Sequence, residues 1–194
     1  MATLKFVRQI KDSKLLLLGI VEEGESATYT VNSDTYESIG SLTSGDFVDE
    51  ATLETIKYND EYIKAKKKAL NILAFADNNR RNLVMKLQRA GFSREIAETV
   101  CEEMVALGYI NELRQLEIVI LNEANGKLRG PMKIIASLSA KGYNSRDIRE
   151  AMNNLIERGE VDFERNKELL LEKKMTSDDE EEKKKILYKN GYKV

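Results

Sequence analysis

Histidine and tryptophan are absent from this sequence, and cysteine and proline occur once each. Without histidine the chain lacks the commonest general base and the commonest metal ligand together, and no cofactor is expected. A single cysteine, Cys101, excludes an internal disulfide and fits a reducing compartment, so a cytoplasmic location is expected. No apolar run reaches the roughly eighteen residues of a membrane span. The N-terminus lacks the basic, apolar, small-residue layout of a secretory signal. No Gly-x-x-x-x-Gly-Lys-Ser/Thr loop is present, which excludes the usual phosphate cradle. Cys101 sits beside Val100 and Met104, and its neighbours Glu98, Glu102 and Glu103 have the wrong sign to stabilise a thiolate. It reads as a buried structural residue. No catalytic constellation remains, so an enzyme is not expected.

What is present is a repeat. A Leu-x-x-x-Gly-aromatic pattern occurs at Leu87 to Phe92, Leu138 to Tyr143 and Leu187 to Tyr192, with glycines 51 and 49 residues apart. Gly159 follows Gly108 at the same 51-residue offset. Helical repeats of that length stack, because one unit alone cannot bury its apolar face. Such arrays present long surfaces and mostly bind other molecules.

Residues 1–32 read differently. Leu4 to Ile10 partly alternates, Leu15 to Val21 is an apolar run broken by Gly19, and Ala27 to Val31 is β-branched and aromatic. Turns at Asp12-Ser13-Lys14 and Glu22 to Ser26 make this an antiparallel meander. Asn32-Ser33-Asp34 can cap a short helix, and Gly40 to Gly45 is a loop. From about Tyr62 the apolar period becomes helical. Ile63, Leu70 and Leu73 mark a first helix, Leu83 and Leu87 a second after the Asn79 cap, and Ile96, Val100, Met104 and Leu107 a third after Ser93. The next unit repeats the plan. Leu113, Leu116 and Ile120 come first, then Ile134, Ile135 and Leu138 after Pro131, then Ile148, Met152 and Leu155. Phe163 to Lys174 opens a third unit that continues through Ile186 and Leu187 and ends without its closing helix. The expected fold is mainly α, with tandem three-helix repeats, two complete and one truncated, behind a small antiparallel β meander. The expected bounds are 1–56 for the β-rich region, 57–110 and 111–161 for two repeats, and 162–194 for the partial third.

The net charge of -2 hides an alternation. Residues 57–94 hold ten Lys/Arg against three Asp/Glu, and 95–126 hold one against seven. Residues 127–149 hold six against one, 150–182 five against twelve, and 183–194 five against none. The sign flips in step with the repeat, which points to a basic surface as well as to ordinary solvated faces. Its candidates are Lys66, Lys67, Lys68, Arg80, Arg81, Lys86 and Arg89 in the first unit, with Lys127, Arg129, Lys133, Lys141 and Arg146 in the second. Lys66, Arg80, Arg81, Lys127, Arg129 and Lys133 are expected on one continuous face. The run Asp178 to Glu182 reads as a solvated linker or the negative start of a helix, since it lacks a calcium loop's spaced ligands. The aromatics after each glycine read as core plugs more than as base-stacking platforms.

The helical part resembles the RecX family of bacterial recombinase regulators, over about residues 60–192. Three segments carry the likeness: Ala69 to Ala74 with Leu83 to Leu87 and Gly91-Phe92; Leu107-Gly108-Tyr109-Ile110-Asn111-Glu112; and Lys127-Leu128-Arg129-Gly130-Pro131-Met132-Lys133-Ile134 followed by Leu138 to Gly142. The last is the most specific. Where the family usually has Ser, Glu and an aromatic, this chain has Asn79, Asn82 and Gln115. The resemblance implies a modular protein that binds the RecA filament on single-stranded DNA and suppresses ATP hydrolysis and strand exchange, acting as a monomer. From the residues alone, a helical-repeat DNA-binding or protein-scaffold module without recombinase specificity stays open. Helix-turn-helix readout is disfavoured, because the helix after Gly91 carries four glutamates that phosphate would repel.

Overall fold

In the computed structural model, which describes residues 1–11, 13–76, 78–176 and 179–193, the N-terminal alternation becomes a sheet. Of the residues invoked above, Asp12, Asp178 and Val194 lie outside the described set. Strands β1 (Ala2–Gln9), β2 (Leu15–Glu22) and β3 (Glu25–Asn32) pair antiparallel in succession. Helix α1 (Ser33–Ser38) follows, with the Asn32 side chain accepting from the Thr35 amide. A two-residue strand, β4 (Phe47–Val48), then joins β1 and completes the order β3-β2-β1-β4. β4 is too short to show a period in sequence. Gly19 breaks the β2 run because the Phe6 ring lies over it, where a Cβ would overlap the ring.

Helix α2 (Glu50–Phe75) starts at its Asp49 cap rather than near Tyr62. Its first half belongs to the sheet. Leu53 and Ile56 complete a core with Leu4, Leu18, Ile20, Val31 and Val48. One turn on, α2 closes the sheet edge. Asn59 accepts from the Asn32 amide at 2.9 Å and Asp60 from the Thr30 amide at 2.8 Å. Unpaired edge amides would otherwise invite another strand. The boundary expected between residues 56 and 57 therefore falls inside one continuous helix.

Among the described residues seven further helices follow: α3 (Arg80–Arg89), α4 (Arg94–Ala106), α5 (Glu112–Leu121), α6 (Pro131–Ala140), α7 (Ser145–Glu157), α8 (Phe163–Lys174) and α9 (Glu180–Lys189). Asn79, Ser93, Asn111, Asn144, Asp162 and Asp179 each turn a side-chain oxygen onto an amide of the helix that follows. From Asp179 onward the acidic run is thus the start of a helix, where carboxylates suit the dipole. A π-helical turn over 122–126 extends α5.

The three glycine motifs end their helices alike. Gly91, Gly142 and Gly191 have φ of 96°, 95° and 83°, which a side chain would resist. The amides of Phe92, Tyr143 and Tyr192 return to the carbonyls of Leu87, Leu138 and Leu187 at 3.2, 3.2 and 3.0 Å. Those three leucines are buried.

The chain divides into two units, one of Met1–Ala76 with Leu83–Met104, the other of Asp77–Asn82 with Val105–Val194. In the first, Leu83, Leu87, Ile96, Ala97, Val100, Cys101 and Met104 are buried. In the second, Leu116, Ile120, Ile134, Leu138, Ile148, Met152 and Leu155 form one core. Leu170, Leu187 and Tyr192 form another with half-buried Leu128 and Phe163. Not every residue that marks the helical period is inward. Leu107 and Leu113 are exposed, Leu107 past the end of α4 and Leu113 in the first turn of α5. On α2, Ile63, Leu70 and Leu73 are only half-buried, whereas the small Ala65 and Ala69 are buried. Leu87→Ala and Leu138→Ala should each cost about 2–5 kcal/mol, as fully buried leucines do when truncated. Urea denaturation with an unshifted midpoint in either variant would contradict that burial.

Candidate binding surface

A helix closed by glycine leaves its last carbonyls pointing outward without partners. In the second unit those carbonyls meet the start of another helix. At the end of α9, the carbonyls of Asn190 and Gly191 accept from the amides of Gly130 and Met132 at 2.7 and 3.1 Å. The Lys133 ammonium donates to the Lys189 carbonyl at 2.9 Å. Gly130 allows the approach, since a Cβ there would overlap the Gly191 carbonyl. At the end of α6 the same contact is made by side chains. Asn79 donates from its amide to the Lys141 carbonyl at 2.9 Å, and Asn82 reaches the same oxygen at 3.5 Å. A Cβ on Gly142 would stand 3.1 Å from the Arg81 side chain. Asn79 and Asn82, where the resembled family has Ser and Glu, supply the donors.

Around this junction lies a cleft of about 380 Å³, lined by Asn79, Asn82, Gln115, Ile118, Val119, Ala140, Lys141 and Tyr143. Gln115, standing where an aromatic was expected, is a bridge. Its amide oxygen accepts from the Tyr143 hydroxyl at 3.0 Å, and its nitrogen donates to the Asn78 carbonyl at 3.3 Å. Hydrogen bonds thus replace the ring as the packing of α5 at this point. Four of the basic candidates are exposed in the second unit. Arg80 and Arg81 are exposed at the start of α3, Lys141 is exposed in the cleft wall, and Arg146 is exposed in the first turn of α7.

The other candidates divide sharply. Lys127 and Arg129 both pair with Glu123, at 2.6 Å for Lys127, and that carboxylate is almost wholly buried. The π-helical turn and a positive φ at Leu128 bring the two cations onto one acid. Burial pushes the Glu123 carboxyl up, but the Lys127 hydrogen bond and the Arg129 charge outweigh it and hold it below its ordinary 4.5. Lys133 is occupied by the end of α9, as above. In the first unit Lys66 pairs with Glu103 at 2.6 Å, and the Tyr62 hydroxyl donates to the same carboxylate. Burial raises Glu103 less than the Lys66 and Tyr62 hydrogen bonds lower it. Lys67, Lys68, Lys86 and Arg89 are exposed in that unit. Glu123 and Glu103 were missed as determinants. The four-residue spacing of Glu123 and Lys127 was a usable signal, whereas the pairing of Lys66 with Glu103 links two separate helices. Among the described residues, no cluster of three or more His, Cys, Asp or Glu could hold a metal, and no helix is long and apolar enough to cross a membrane.

A small four-stranded sheet followed by helices, two of whose glycine-closed ends meet other helix starts, defines a mainly α protein. No family model matches the chain. It is 32% identical over 114 residues to the regulatory protein RecX of Clostridioides difficile, covering 59% of this chain and 53% of that one. It is 28% identical over 135 residues to the regulatory protein RecX of Clostridium acetobutylicum, covering 70% and 62%. The chain spans only about half to three fifths of the length of these relatives. A crystal structure of a regulatory protein RecX matches all of this chain and 95% of its own, with a TM-score of 0.70 at 18% identity. RecX from Lactobacillus salivarius matches 70% of this chain and 90% of its own, with a TM-score of 0.56 at 21% identity. The chain is thus similar in sequence to regulatory proteins named RecX and shares the fold of their crystal structures.

Glu123 yields a pH test. Its depressed carboxyl contributes stability that is fully present above its unfolded value of about 4.3 and is lost as pH falls through the lower folded value. Glu123→Gln should therefore cost about 1–3 kcal/mol near neutrality, and the gap to wild type should close in acid. A gap that stays constant from neutral pH to pH 3 would show that the ion pairs are not its source.

Proposed function

We propose that this protein binds the filament of the RecA recombinase on single-stranded DNA and restrains its ATP hydrolysis and strand exchange by occupancy alone. Kinship with proteins named as regulators supports a regulatory role. The observation that carries the DNA-facing part is the exposure of four cations in the second unit, Arg80 and Arg81 at the start of α3, Lys141 at the end of α6 and Arg146 at the start of α7. Such groups meet backbone phosphates without reading sequence. Lys67, Lys68, Lys86 and Arg89 are further exposed cations, in the first unit. Lys66, Lys127, Arg129 and Lys133 instead hold the fold through the partners described above, so their loss acts first on stability. The protein acts as a monomer, with no cofactor and no chemical step of its own.

Titration of recombinase ATPase on single-stranded DNA is the direct test. Inhibition should rise with the amount of protein bound and reach a plateau. Untouched ATPase and strand exchange at saturation would overturn the proposal. Joint replacement of Arg80, Arg81, Lys141 and Arg146 by Ala should weaken filament binding. It should also flatten the dependence of log affinity on log salt by up to roughly 3, at about 0.7 per phosphate contact. Unchanged affinity and slope would remove these residues from the interface.

A further inference from the structure

The helices α3, α6 and α9 end with the same bonds, but only two of these ends are covered. The end of α6 is held by Asn79 and Asn82, and the end of α9 by Gly130, Met132 and Lys133. The end of α3 is bare. Arg89, Ala90 and Gly91 are exposed. Among the described residues no donor reaches their carbonyls, and a Cβ on Gly91 would meet nothing within 4 Å. Carbonyls at a helix end carry partial negative charge and accept readily.

We propose that the end of α3 is a docking surface for the N-terminus of a helix on the recombinase, an inference that rests on the filament-binding reading above. The two covered ends define the chemistry of the occupant. Each receiving helix has Asn or Gly at its cap, and a donor side chain, Asn82 or Lys133, three residues later. The occupant is therefore a helix start with a small or amide cap and an amide or ammonium group in its first turn. A second copy of this chain does not fit. The helix start next in the series is that of α9, with Asp179 at the cap and Glu182 three residues on. Asp179 accepts from the Glu181 amide and Glu182 from the Thr176 hydroxyl, so both present oxygen where the other two starts present donors. Oxygen facing carbonyl oxygen repels.

The test uses the full chain and RecA filaments assembled on labelled single-stranded DNA. Ala90→Glu places a carboxylate on the exposed helix end and should weaken binding about tenfold, an ordinary effect for a central contact, without changing the thermal midpoint. Ala74→Glu, the same charge change on an exposed position of α2, should leave binding unchanged. If Ala90→Glu lowers the midpoint, Ala90→Met, which adds bulk without charge, should still weaken binding. Wild-type affinity in every Ala90 variant overturns the docking surface while leaving filament binding intact. Equal losses from Ala74→Glu and Ala90→Glu overturn it too, because net charge is then the cause. A wild-type chain that does not bind filaments removes both proposals. Sedimentation of the protein alone should show a monomer; a dimer that Ala90→Glu dissolves would assign the surface to a second copy and overturn the choice of occupant.

Discussion

The contact between the end of one helix and the start of another governs the second unit. Every helix leaves amides unsatisfied at its start and carbonyls unsatisfied at its end. Here the two sets satisfy each other. The end of α9 fills the start of α6, and the end of α6 is held through Asn79 and Asn82 at the start of α3. Glycines at the donor and acceptor ends are requirements of this contact. Positive φ turns the chain at the closing glycine, and the missing Cβ of Gly130 lets backbone meet backbone. Apolar burial then follows the polar match, with Leu138 and Leu187 brought inward by the same helix ends.

The same contact sorts the cations. A lysine three residues into α6 is spent on the last turn of α9, while the arginines at the start of α3 stay exposed because Asn79 and Asn82 make the contact there. Glu123 engages two more cations by pairing Lys127 and Arg129 with one buried carboxylate. The basic residues of the sequence are therefore two populations in the fold, one held in the ion pairs and helix-end contacts above and one exposed. Counting charges along the chain does not separate them fully, because the partners of Lys66 and Lys133 come from other helices.

The helical period and the repeated Leu-x-x-x-Gly-aromatic motif made α3, α6 and α9 legible, because each signal is local: a buried leucine, a positive φ and a ring four or five residues apart. The meander was legible for the same reason. What escaped reading was set by tertiary contact. α2 begins at Glu50 because Leu53, Ile56, Asn59 and Asp60 serve the sheet, and no helical period announces that. β4 has two residues and no alternation to detect. Gln115 looked like a lost aromatic, yet its two hydrogen bonds join Asn78 to Tyr143. Among the candidate site residues, Arg80, Arg81, Lys141 and Arg146 are exposed, whereas Lys66, Lys127, Arg129 and Lys133 have structural partners.

Hydrogen exchange at the amides of Gly130 and Met132 probes the helix-end contact most directly. Amides at a helix start ordinarily have no helical partner and exchange quickly. If the carbonyls of Asn190 and Gly191 hold them, both should be slowed at least roughly a hundredfold relative to an unstructured chain. They should lose that protection together when α9 is unseated by Leu187→Ala. Exchange of both amides at the unstructured rate in the wild-type protein would contradict the contact on which the arrangement of the second unit depends.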